Sequence, residues 1–66
     1  MILKINGKSE TIDKKLNLIE LILHKSLVPE HIVIEHNARI VPKAEWPGIE
    51  LKENDNIEIV SFVGGG

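Results

Sequence analysis

An α+β fold, with one helix lying across a small mixed sheet, is what this sequence predicts, and three observations carry the prediction. One apolar segment, Leu16–Ser26, has helical spacing, whereas the other apolar runs are short, β-branched and alternating. Sixty-six residues make one small domain, close to the lower limit at which a core folds unaided. The sequence has no cysteine, so no disulfide can substitute for burial and the elements must cover one another's apolar faces.

Met1–Ile5 and Lys8–Ile12 flank Asn6-Gly7, the pair that most readily takes the two positive φ angles of a tight turn, and so read as an antiparallel hairpin. After Asp13-Lys14-Lys15, a solvated turn, Leu18, Ile19, Leu21, Ile22 and Leu23 fall on one broad helical arc with Glu20 and His24 opposite. Asn17 is the N-cap, and Glu20 three residues on is its capping-box partner. Pro29 cannot continue the helix, which is expected to stop near Ser26 or Leu27. His31–Glu35 reads as a third strand with Ile32 and Ile34 on one face and His31, Val33 and Glu35 on the other.

The turn His36-Asn37-Ala38 leads to a short fourth strand, Arg39–Val41, closed by Pro42, which has no amide proton to donate. Asn37, rather than Ala38, is expected to take the positive φ there. Lys43–Glu50 is a surface connection with room for one helical turn, anchored by Trp46. Glu53–Asn56 is a second polar turn with Asn54 in the left-handed conformation. Ile57–Val63 is the last strand, with Ile57 and Ile59 inward, Val60 and Phe62 on the other face, and Gly64-Gly65-Gly66 following at once.

The order β-β-α-β-β-β leaves few arrangements. A hairpin at each end, with the first and last strands side by side in the middle, gives the β-grasp or ubiquitin-like architecture, a mixed sheet of four to five strands on one helix. Residues 1–66 are read as a single domain, with 63–66 as a flexible C-terminal tail leaving a central strand.

Composition excludes several functions. Trp46 and Phe62 are the only aromatics, which leaves no platform for stacking bases, and a net charge of −2 steers toward no polyelectrolyte, so nucleic acid is not expected as a partner. No apolar run approaches the length of a membrane span and no leader is evident, which points to a cytoplasmic chain with no membrane partner. His24, His31 and His36 form no ligand pattern, so no metal site is expected. Nor is there a nucleophile–base constellation, which argues against an independent enzyme. What remains is the tail. Glycine adds backbone entropy and contributes no side-chain contact, so a run of three suits a place where slenderness is wanted. Here the run follows an apolar strand rather than a polar linker.

The residues from 34 onward resemble the ThiS family, sulfur carriers of thiamine (thiazole) biosynthesis. The resemblance rests on Asn37-Ala38-Arg39-Ile40-Val41-Pro42-Lys43, then Trp46, then Leu51-Lys52-Glu53-Asn54-Asp55 and the strand into Val63-Gly64-Gly65-Gly66. It departs from the usual pattern at Ala38 and Asn54, where glycine is expected. The resemblance implies that the Gly66 carboxylate is adenylated by a ThiF-like enzyme using ATP, then converted to a thiocarboxylate with sulfur from a donor such as a cysteine desulfurase. A ThiG-like thiazole synthase then consumes the sulfur. On that reading the chain binds no cofactor, has no catalytic residue, and is a monomer when free. Gly64, Gly65 and Gly66 form the tail, Val60, Phe62 and Val63 form the partner interface, and Arg39 and Lys43 are open to acidic groups on a partner. The alternatives are a carrier like the small subunit of molybdopterin synthase, a protein modifier, and a β-grasp interaction module.

Overall fold

Residues 1–62 are described by the computed structural model, and the expected extension of the last strand to Val63 and the tail at 63–66 lie outside the described residues. Strands β1 (Ile2–Ile5) and β2 (Lys8–Thr11) are followed by helix α1 (Leu18–His24), then β3 (Ile32–His36), β4 (Arg39–Ile40) and β5 (Asn56–Ser61). Short 3-10 helices at Pro29–His31 and Lys43–Gly48 bridge the gaps. The sheet order is β2-β1-β5-β3-β4. β1 and β5 run parallel at its centre, and the other neighbours are antiparallel.

Local chemistry fixes both hairpins. Asn6 and Gly7 take φ of 51° and 82°, the mirror-image turn geometry that matches strand twist. The β3–β4 turn corrects the sequence expectation, because Asn37 (φ 51°) and Ala38 (φ 71°) both adopt positive φ. A two-residue turn closing His36 onto Arg39 needs two such residues, so the alanine accepts about 1–2 kcal/mol of strain. Asn54 is left-handed as expected, with φ 69°.

The helix starts where its cap places it. Glu20 N–H donates to Asn17 Oδ1 at 2.8 Å, and Asn17 N–H donates to Glu20 Oε1 at 2.9 Å. Leu18, Leu21 and Ile22 are buried, Ile19 is partly buried, and Leu23, expected on the covered arc, is 59% exposed. The sheet covers an arc of about 100°, and Leu23 sits well outside it. The stop also differs. Ser26 adopts φ 59°, Leu27 N–H donates to the Ile22 carbonyl at 3.1 Å and Ser26 N–H to that of Leu23 at 3.0 Å. This left-handed closure ends α1 at His24, before Pro29, which instead opens the 3-10 turn. His31 belongs to that turn and not to β3.

Leu3, Ile5, Ile32, Ile34 and Ile57 line the helix-facing side of the sheet. Trp46 closes the core, fully buried, with its indole N–H donating to the Val41 carbonyl at 2.9 Å. The Lys43–Glu50 connection therefore contributes core as well as surface.

Candidate functional site

β5 is paired on the β3 side from His36↔Ile57 to Ile32↔Ser61. Phe62 N–H continues that ladder by donating to the His31 carbonyl at 2.8 Å. On the other side, β1 reaches only to Ile5↔Ile57, where the chain turns away. Asn6 extends the pairing. Its N–H donates to the Ile57 carbonyl at 2.9 Å, and its side-chain Oδ1 accepts from Ile59 N–H at 2.7 Å. The strand that leads to residues 63–66 is thus held from both sides.

Below this strand a polar cluster ties two turns together. Lys52 N–H donates to Asp55 Oδ2 at 2.9 Å, His36 Nε2 lies 2.9 Å from the same oxygen, and Asn37 Nδ2 donates to Oδ1 at 3.1 Å. Asn37 Oδ1 in turn accepts from Asn56 N–H at 2.9 Å. Burial by itself raises the Asp55 pKa, but the hydrogen bonds from His36, Asn37 and Lys52 outweigh it and hold the carboxyl below its ordinary value. This cluster fixes the start of β5 relative to the β3–β4 turn.

Among the residues singled out from sequence, Val60 is 60% exposed and Phe62 46% exposed, while Ile57 is buried and Ile59 partly so. Val63, Gly64, Gly65 and Gly66 lie outside the described residues. Two further residues share this outward face. Val33 pairs directly with Val60 and is 41% exposed, and Ile40, 63% exposed, stands opposite Glu35. Alternation alone placed Val33 outward, but the row shared with Val60 is set by strand register, which no local pattern encodes. A shallow groove lined by Leu27, Val28, Ile32 and Ser61 borders Phe62. Arg39 lies 3.4 Å from Glu45 and Lys43 3.2 Å from Glu30, both in pairs exposed to solvent. Among the described residues no group of histidine, aspartate and glutamate side chains is placed to hold a metal.

The outward face of β3 and β5 exposes apolar side chains on the strand whose sequence continues into Val63-Gly64-Gly65-Gly66. A family model described as the ThiS family matches residues 3–66, the glycine run included. The chain belongs to the ThiS family. It is 37% identical over 65 residues to the sulfur carrier protein ThiS of Bacillus subtilis (strain 168), covering 97% of this chain and 98% of that one. A thiazole synthase of Magnetococcus marinus is 30% identical over 66 residues, 100% of this chain and 20% of the synthase. The chain spans about a fifth of the length of the thiazole synthases it matches. The crystal structure of a thiamine biosynthesis protein (ThiS) from Geobacter metallireducens superposes with a TM-score of 0.86 at 30% identity over 100% of both chains. The ThiS architecture is the β-grasp that the element order predicts.

Proposed function

We propose that this ThiS-family chain carries sulfur for thiazole assembly as a thiocarboxylate on Gly66. The observation that supports the reading most is the family match, which runs through residue 66 and so takes in the tail as well as the body. A carboxylate is a poor acylating agent because its oxide is a poor leaving group. Attack of the Gly66 carboxylate on the α-phosphorus of ATP releases pyrophosphate and leaves an acyl adenylate, from which a sulfur nucleophile displaces AMP. The chain supplies the acyl group and the partners supply the catalysis, so it is a carrier and not a catalyst.

Each part of the chain has a task in this scheme. Residues 63–66 span at most about 13–14 Å when extended, enough to reach a closed active site while the body stays outside. Glycine enters such a channel with no Cβ to clash. Val60, Phe62 and Val63 meet the adenylating enzyme at the channel mouth. The thiazole synthases that contain a segment similar to this chain support a ThiG-like synthase as the enzyme that consumes the sulfur.

The test is intact mass after incubation with ATP, a ThiF-like adenylating enzyme and a sulfur donor. The expected result is a gain equal to one oxygen replaced by sulfur, absent from a chain lacking Gly65 and Gly66. No gain, with the enzyme active on another carrier, would overturn the reading.

A further inference from the structure

On the outward face of the sheet, Glu35 of β3 stands directly opposite Glu58 of β5. Like charges in that position weaken a sheet, so the pairing runs against the fold's own stability. Neither carboxylate forms an ion pair among the described residues, whose ion pairs use Glu10, Glu30, Glu45 and Asp55 instead. Lys4 shares the face but stands opposite Asn56, diagonal to Glu58 and two strands from Glu35. Glu35 is half-buried and Glu58 exposed. One row toward the tail lie Val33 and Val60, and across from Glu35 lies Ile40. Covering this apolar face would strip water from both carboxylates and sharpen their repulsion unless the covering surface brought a positive charge.

We propose that the outward face of β3 and β5 docks a protein surface that pairs an apolar patch with a basic side chain, which lies between Glu35 and Glu58. The inference rests on the sulfur-carrier reading for the partner's identity, the enzyme that adenylates Gly66, and adds the chemistry by which that partner is chosen. The apolar rows nearest the tail supply contact area. The acidic pair, about 7 Å further back along the strands, rejects surfaces that lack the cation. An arginine fits best, because its planar fork can donate to two carboxylates at once.

The experiment uses the full chain and a purified ThiF-like adenylating enzyme with ATP, with affinity measured by calorimetry at low and at physiological salt. Glu35→Gln with Glu58→Gln removes the repulsion and is expected to raise Tm by about 1–5 °C. The same variant is expected to bind about tenfold more weakly at low salt, with a flatter salt dependence. Glu58→Lys gives Glu35 an opposite-charge neighbour and is expected to be stabilised yet to bind more weakly still. Wild-type affinity and salt dependence in the double variant, or undiminished binding of Glu58→Lys, would overturn the docking inference. A wild type that neither binds the enzyme nor gains sulfur would overturn the carrier reading, a result distinct from wild-type binding that the glutamate variants leave unchanged.

Discussion

The two faces of the sheet are built from the same strands, and alternate residues along each strand answer to different demands. On the helix side, Leu3, Ile5, Ile32, Ile34 and Ile57 form one continuous apolar surface. The outward side is divided. Its β1–β2 half is mainly polar, with Lys4 opposite Ser9 and Thr11 opposite a single exposed apolar residue, Ile2. Its β3–β5 half exposes Val33, Ile40, Val60 and Phe62 around two opposed glutamates. Folding explains the helix side and the β1–β2 half. It does not explain the β3–β5 half, where apolar exposure and like-charge opposition both lower stability, and the proposed docking surface lies on that half.

The comparison breaks most visibly at Ile34, on the helix side. Ile34→Thr places a hydroxyl in the core and removes buried methyl volume, and is expected to cost about 2–5 kcal/mol, read as a lower urea midpoint. In a domain of this size that is enough to unfold much of the population. Asp55→Asn tests the cluster that sets β5 against the β3–β4 turn, with an expected loss of about 1–3 kcal/mol at neutral pH. Because the folded-state pKa of Asp55 is depressed, its contribution is complete above the unfolded-state value near 4 and is lost as pH falls through the lower folded value. Urea midpoints of wild type and Asp55→Asn are therefore expected to converge below roughly pH 4. The smallest effect on stability is expected from Val33→Thr with Val60→Thr, which keeps the β-branched shape on the outward face and shifts stability by no more than about 0.5 kcal/mol. The same double variant is expected to slow adenylation at limiting enzyme, which steady-state kinetics would register.

How much of this was legible in the sequence depends on the range over which each feature is encoded. Asn6-Gly7 and the Asn17–Glu20 capping box are decided by residues one to three apart, and both stand in the structure as read. The β-grasp order followed from counting elements and the connections open to them. Leu23 was misplaced because the width of the covered arc depends on how much sheet lies beneath the helix, which is tertiary information. Ser26 and Ala38 hold left-handed angles that neither residue type advertises, and their neighbours impose them. At the candidate site, Val60 and Phe62 were legible from alternation along one strand. The outward side of Val33 and Glu35 was legible too, but the Val33–Val60 row, the place of Ile40 and the Glu35–Glu58 opposition were not, because they depend on the register of three strands.

The parallel pairing of β1 with β5 has a consequence for synthesis. It joins residues about fifty positions apart, Lys4 with Asn56 and Ile5 with Ile57, so the sheet cannot close on a ribosome-bound chain until the last strand has emerged. Until then the β1–β2 hairpin and the β3–β4 hairpin lack the strand that lies between them. A fragment released before β5 is made stays open to proteolysis. Closure of the sheet thus comes only with the strand that leads into the glycines.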